Sequence, residues 1–523
     1  SPPPCPPALR AAASTAAYDR ARRRRPHRAP ARGGDRVMAG TGLVVDGAVE
    51  AGEDGWYPVT NPVRPAEVVL EAPAAGAAQL DRAVAAARRE APAWAALPFH
   101  ERVAVVTEAA SRAAAAGAEL AELLTREHGK ILMEAVFDTS TIGGMAAPFA
   151  PLAAEALAPR TVAAGYPGTE VVHEPVGVVA AILPFNWPVA VMANKVLPAL
   201  LTGNTVVAKA PPTCPGAVLA AAAALAEGLP PGVVNVLNGP GPELGEALVA
   251  HPGVDLVSFT GGPRTGQAVM AAAARRTTPV VLELGGNDPA VLAPDVTVDD
   301  ELADQLVSAA FVTSGQVCMA VKRIYAPEAL VGEVVEALVA RLATEVVGDG
   351  LADGVTMGPV HQASARDRVE RMVAEAEAGG ARVHRPATVR PEDVGAGGYL
   401  VSPAIVEGPS PDAAIVCQEQ FAPALPVLGY RQLDDAVAAA NATELGLCAS
   451  IWTGDGELAA SVARRLQAGT VFVNCHGMAA MDYRAPMGGW KESGFGVELG
   501  PEGMRALTRP KTVLTRQPSG AGW

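Results

Sequence analysis

Residues 176–210 read VGVVAAILPFNWPVAVMANKVLPALLTGNTVVAKA, and this stretch decides the fold class. Its segment 178–183 is an unbroken apolar run, the pattern of a strand covered on both faces. Segment 205–208 repeats that pattern after a helical interval. Working outward, 233–237 and 256–260 are further short apolar runs, with a helical pattern over 217–227. Strand–helix alternation of this kind predicts βαβ units, a parallel sheet and an α/β fold. Ligands of such sheets gather at the carboxyl ends of the strands.

Upstream, short apolar runs at 43–45 and 68–70 read as strands, and Asp81 opens a long alanine-rich helix, with more helices through Glu134. Extended segments are expected around Thr161-Val162 and Val171-Val172. Downstream of Pro289 a second α/β pattern continues to about Pro486, with helices over 299–310 and 330–347 and a strand at 471–473. No internal repeat is present.

A chain of 523 residues exceeds one simple core, so two or three domains are expected. A net charge of −14 argues against a nucleic-acid partner, which needs a basic face. The six cysteines are scattered without a C-x-x-C pair, which suggests neither a zinc site nor a disulfide framework. Free thiols favour a reducing compartment, and a cytoplasmic location is expected. The longest apolar stretch, 189–210, is interrupted by Asn194, Lys195, Asn204 and Lys209, so no membrane span is expected. Residues 1–37 are rich in proline and alanine and carry Arg22–Arg25. They read as a disordered, solvated tail or as sequence upstream of a start at Met38, with no apolar core of a secretory signal.

Four stretches carry chemistry. In FVTSGQVCMAVKR (311–323), Cys318 follows a small, glycine-containing turn that can expose its sulfur. LPFNWP (183–188) places Asn186 before Trp-Pro, ELGGNDP (283–289) opens on Glu283, and EQFAP (419–423) opens on Glu419. Taken singly, each has a plainer explanation. A lone cysteine is more often a small buried hydrophobe, the asparagine a turn residue and the glutamate a charged strand end. Glu127-His128-Gly129-Lys130 has a chemical look, which a glycine-capped helix end explains equally well. Gly261-Gly262 opens a helix, where backbone N–H groups favour a phosphate. No clean G-x-G-x-x-G occurs; residues 239–245 miss it by one position.

Together, and in this order, these stretches resemble the aldehyde dehydrogenase superfamily from about Gly42 to about Val513. The resemblance implies a Rossmann-like parallel-sheet cofactor domain over 38–152 and 176–284 and a second α/β catalytic domain over 285–488. It also implies a small β excursion, 153–175 with 505–517, that joins subunits into a homodimer or homotetramer. It implies Cys318 as nucleophile, Glu283 as general base, and Asn186 with the Cys318 backbone N–H as oxyanion donors. Such a donor contributes roughly 3–4 kcal/mol to the barrier. For NAD or NADP it implies Lys209 and Glu419 at the two riboses, Gly261 and Gly262 at the pyrophosphate, and Leu284, Phe185 and Phe421 near the nicotinamide. The carboxylate at 283 implies hydrolysis to a free acid rather than transfer to coenzyme A. The alternatives are a coenzyme A-acylating relative and a non-catalytic binding or structural relative.

Three positions depart from the family pattern. Gly262 replaces a serine, Ala422 replaces a glycine, and Pro212 stands where many NAD-preferring relatives carry a glutamate. That last change leaves NAD and NADP both open. The apolar character of Phe137, Met192, Met319 and the loops 310–317 and 476–481 favours a neutral aliphatic or aromatic aldehyde.

Overall fold

The structure, a computed structural model, describes residues 41–162 and 168–515. The expected tail, 1–37, lies outside the described residues, as do residues 163–167 and 516–517 of the expected subunit-joining segments.

Two sheets organise the chain. The first has eight strands in the order Ala48–Glu50, Leu43–Val45, Val234–Leu237, Thr205–Lys209, Val178–Ile182, Leu256–Thr260, Val280–Glu283 and Gly494–Phe495. Its five central strands are parallel and its flanking pairs antiparallel. The chain steps one way from Val178–Ile182 through Thr205–Lys209 to Val234–Leu237, then crosses to Leu256–Thr260 on the other side. The order therefore reverses beside Val178–Ile182, and a crevice opens at the carboxyl ends there. Val178 to Ala181 are fully buried, as an unbroken apolar strand requires.

The second sheet has seven strands in the order Arg382–His384, Ala404–Glu407, Ala424–Tyr430, Val321–Pro327, Asp288–Leu292, Cys448–Trp452 and Thr470–Val473. All its pairs are parallel except the outermost one, between Arg382–His384 and Ala404–Glu407. A third, antiparallel sheet joins Thr508–Leu514, Thr169–Pro175 and Arg160–Thr161.

The elements differ from expectation in three places. The first long helix is Ala77–Ala96, four residues earlier than Asp81, because the Gln79 side chain accepts from the backbone N–H of Gly76 and closes the first turn. The helix expected over 330–347 ends at Leu342, and Val346–Val347 pairs with Thr388–Val389 instead. A helix, Leu132–Leu157, runs through Pro148 and Pro151 and takes the first residues, 153–157, of the expected β excursion, whose extended parts follow at Arg160–Thr161 and Thr169–Pro175. Gly143 within it lies so close to the Phe99–Ala115 helix that a Cβ would stand 2.4 Å from that of Ala114. Gly143 thus serves a close helix crossing.

Candidate active site

The cleft at the reversal point is walled from both sheets. The first sheet supplies residues that come just after its strands: Leu183 to Asn186, Pro211 to Thr213, Gly261, Gly262, Thr265, Leu284 and Gly285. The second supplies residues that come just before its strands, namely Cys318, Glu419 and Phe421. Six of the seven expected cofactor residues line this cleft: Gly261, Gly262, Glu419, Phe421, Leu284 and Phe185. Lys209, the seventh, is the buried last residue of its strand and makes only a 3.4 Å contact with the Ala210 carbonyl. Burial lowers its pKa to about 8.

Cys318 sits on a turn of unusual backbone. Thr313, Ser314 and Gly315 are all left-handed, with φ of 52°, 56° and 73°. For a β-branched threonine this conformation is strained and persists only where contacts over-determine it. Those contacts are present. Glu134 accepts from Thr313 N at 2.6 Å, Ser314 Oγ donates to the Gly358 carbonyl at 2.8 Å, and Gln316 bridges the Thr313 carbonyl and His361 N. Gly286 packs against the Cys318 carbonyl so closely that a Cβ would come within 2.2 Å of it.

Cys318 remains partly exposed to the cleft. Desolvation pushes its thiol up to about 12; Lys322 lowers it, while Glu283, Glu419 and Asp288 raise it. The resting sulfur is therefore a thiol and needs a base. Asn186 is buried and its Nδ2 donates to the Gln316 carbonyl at 2.9 Å. That bond uses one amide hydrogen and leaves the second for an oxyanion.

Glu283 does not line the cleft, though the adjacent Leu284 does. Its carboxylate is buried behind that wall, and neither oxygen has a hydrogen-bond partner. Burial, with Glu498 nearby, raises its pKa well above the ordinary carboxylate range, against an opposing pull from Lys195. Lys195 Nζ contacts Glu498 Oε1 at 2.5 Å and Ser258 Oγ at 2.9 Å. Glu283 thus lies within electrostatic reach of both Cys318 and this buried ion pair.

Several site residues escape sequence reasoning. Lys195 is visible only as a charge in an apolar run, and its partner Glu498 lies 303 residues away. Thr265 carries no motif signal beyond its neighbours, and Gln316 stands in the cysteine stretch without a role of its own being readable there. His361 stacks on Phe185 at 4.7 Å, and its Nε2 meets Thr213 Oγ1 at 2.6 Å, so it backs the first-sheet wall of the cleft.

The donor set suits a dinucleotide. A buried ammonium with donors to spare and a carboxylate, Glu419, held by Gly286 N at 3.0 Å can meet ribose hydroxyls. The start of the Pro263–Ala274 helix faces the cleft with no side-chain cap, and a Cβ on Gly262 would touch nothing within 4 Å. An apolar patch of Trp187, Ala190, Val317, Met319 and Phe472, extended by Phe137, Met478, Met481 and Met487, packs together with Cys318.

Comparison with known proteins agrees with this picture. The family model for the aldehyde dehydrogenase family matches residues 49–513. Geranial dehydrogenase of Castellaniella defragrans is 36% identical, covering 86% of this chain and 93% of the relative. The crystal structure of a betaine aldehyde dehydrogenase from Staphylococcus aureus in complex with NAD+ superposes with a TM-score of 0.85 at 30% identity, covering 93% of this chain and 97% of that one. An NADP-dependent enzyme of E. coli gives 0.85 at 31% identity, covering 90% and 97%.

Proposed function

The chain belongs to the aldehyde dehydrogenase family and oxidises an aldehyde to a carboxylic acid with NAD(P)+ through a thiohemiacetal and a thioester on cysteine; on that premise we propose that Cys318 is this cysteine, Glu283 the general base and Asn186 an oxyanion donor. The supporting observation is their arrangement. Cys318 and Asn186 meet across one cleft, and Glu283 stands behind its wall with an unpartnered, proton-seeking carboxylate.

Glu283 removes the Cys318 proton as sulfur bonds to the aldehyde carbon. The carbonyl oxygen becomes an oxyanion, met by the free amide hydrogen of Asn186 and by the Cys318 N–H. The bound dinucleotide, held by Lys209, Glu419 and the glycines 261 and 262, supplies the hydride acceptor. Collapse of the oxyanion leaves a thioester on Cys318. Once the Cys318 proton has left Glu283 for solvent, the carboxylate takes a proton from water as that water attacks the thioester; sulfur departs and takes this proton back as the thiol. The proton on Glu283 has the Lys195–Glu498 pair as its next neighbour.

Cys318→Ala is expected to abolish aldehyde-dependent cofactor reduction while NAD+ still binds; full turnover in that variant would end the assignment. Acid as the product, with no gain from added coenzyme A, separates hydrolysis from acyl transfer. The apolar patch favours a neutral, apolar aldehyde. Along a straight-chain series kcat/KM should rise about fourfold per methylene until the patch is filled, since each buried methylene contributes about 0.8 kcal/mol. A preference for a trimethylammonium aldehyde would contradict this.

Glu419 is the only carboxylate among the described residues lining the cleft, so both NAD+ and NADP+ are accepted; a thousandfold bias in kcat/KM would end dual use. A homodimer or homotetramer built on Thr508–Leu514 fits the exposed Val473, Trp490, Phe495 and Leu514, and a monomer in sedimentation would refute it. The free thiols of Cys214, Cys318, Cys417 and Cys448 fit a cytoplasmic site of action, which fractionation of the source cells would check.

A further inference from the structure

The Leu132–Leu157 helix presents Glu134 and Asp138 four residues apart, hence on one face. Each reaches a different half of the reaction site. Glu134 accepts from Thr313 N in the nucleophile turn. Asp138 Oδ1 accepts from Ala190 N at 2.7 Å, in the first turn of the Pro188–Leu201 helix. That helix cannot cap itself: its N-cap is Trp187, which offers no side-chain acceptor, and Pro188 has no N–H. Asn186 stands immediately before this start.

Lys130 completes the group. Its ammonium pairs with Asp138 Oδ2 at 2.8 Å, both side chains being 0% exposed, and lies 3.9 Å from the Trp187 ring centroid. The two tethered segments also touch each other, through the Asn186 amide and the Gln316 carbonyl.

We propose that Lys130, Glu134 and Asp138 are positioning residues that set the spacing between the Asn186 amide and the Cys318 loop, and so tune oxyanion stabilisation without touching substrate or cofactor. The proposal rests on the roles given above to Cys318 and Asn186. Acting through Asn186, Asp138 should govern kcat and leave aldehyde KM and cofactor affinity nearly unchanged. A misplacement of about 1 Å costs on the order of a hundredfold in rate.

The test compares Asp138→Ala, Asn186→Ala, the two combined, and Lys130→Met with Asp138→Leu. The last pair exchanges the buried ion pair for apolar side chains of similar volume, which folding commonly tolerates. Each is assayed for aldehyde oxidation and for cofactor-free hydrolysis of p-nitrophenyl acetate, which also needs the oxyanion donors. Asp138→Ala is expected to lower kcat in both assays by roughly tenfold to a hundredfold. Added to Asn186→Ala, it should cost nothing more, because the amide it positions is already gone.

A loss that multiplies with Asn186→Ala would overturn the proposal. So would a Lys130→Met/Asp138→Leu variant that melts at the parental temperature with parental kcat. If Asn186→Ala itself is fully active, the site assignment fails. If Asn186→Ala is slow while Asp138→Ala is fast, only the positioning role fails.

Discussion

The two walls of the cleft are built by opposite ends of their sheets. The cofactor-facing wall consists of residues at and beyond the carboxyl ends of strands, from Leu183, Pro211, Gly261 and Leu284 onward. The nucleophile wall consists of residues that precede strands, with Cys318 before Val321–Pro327 and Glu419 and Phe421 before Ala424–Tyr430. In a βαβ unit a helix start comes after a strand, so the first wall receives backbone N–H groups and positive helix ends as a consequence of topology. In the second wall the segments that precede strands bring no helix start with them, although the Ala363–Ala378 helix begins after Gln362 at the cleft, and side chains do more of the holding. Accordingly Thr313, Ser314 and Phe421, with φ of 52°, 56° and 50°, stand in the second wall, and no such non-glycine residue stands in the first.

Helix caps show the same division. Away from the cleft, Asp299 and Asp455 cap their own helices. On the first-sheet side, three helices that start at or beside the cleft begin after Trp187, Pro215 and Gly262, with no side-chain cap of their own. Two borrow a carboxylate from elsewhere: Asp138 serves Ala190 N, and Glu127 accepts from Gly216 N and Ala217 N at 2.8 Å each. The third start, at Gly262, is left open towards the cleft. The motif Glu127-His128-Gly129-Lys130 is thereby explained. Its glutamate completes a cofactor-wall helix, its lysine joins Asp138, and Gly129 takes φ of 97° against Pro359, where a Cβ would come within 2.7 Å.

If the walls are independent, each should break without the other, and the sharpest break is at Gly286. A side chain there drives the Cys318 carbonyl away, displacing the sulfur and the adjacent N–H together. Gly286→Val should lower kcat at least about a thousandfold, roughly 4 kcal/mol, since both nucleophile and oxyanion donor move. The NAD+ dissociation constant, which draws on Lys209, Gly261 and Gly262 of the other wall, should change far less, by the share that Glu419, held by Gly286 N, contributes. Loss of binding in step with turnover would show the walls to be one unit.

Glu127 tests the cofactor wall through stability. Burial raises its pKa to about 7, against lowering by the two backbone N–H groups. The folded protein therefore holds this proton more tightly than the unfolded chain. The stability of the protonated form is complete below about 4.5 and is lost as pH rises through about 7, a difference of about 3 kcal/mol. Glu127→Gln removes the titration, so its melting temperature relative to the parent should rise between pH 5 and pH 8. For a chain of this size the change is about 3 °C. A constant difference across that range would mean that Glu127 is charged throughout.

The same division decides what was legible in the sequence. The first sheet announces itself because strands such as Val178–Ile182 are continuous apolar runs, and the residues after them carry function by position. Cys318, Asn186 and Glu419 were legible from short local motifs. The long-range supports of both walls were not, because they act at a distance. Glu134 is 179 residues from Thr313, Asp138 is 52 from Ala190, and Lys195 is 303 from Glu498. No local pattern encodes such pairs. The helix that carries Glu134 and Asp138 was itself obscured by Gly143, Gly144, Pro148 and Pro151, residues whose local preference is overruled by packing.

The smallest expected effect concerns the rim of the cofactor wall. Pro212 lines the cleft, and its carbonyl accepts from the Tyr57 hydroxyl at 2.8 Å. A carboxylate placed there would accept from a ribose 2′-hydroxyl and repel a 2′-phosphate. Charges about 5 Å apart in a half-solvated site interact by about 1–3 kcal/mol. Pro212→Glu should therefore lower kcat/KM for NADP+ by roughly tenfold or more and leave that for NAD+ unchanged or improved. Because the rim is open to solvent, the discrimination should shrink as salt is raised. An equal loss for both cofactors would instead trace the effect to the released backbone at 212, since proline fixes φ there and glutamate does not. Salt separates the two causes: it weakens a charge effect and leaves a backbone effect where it was.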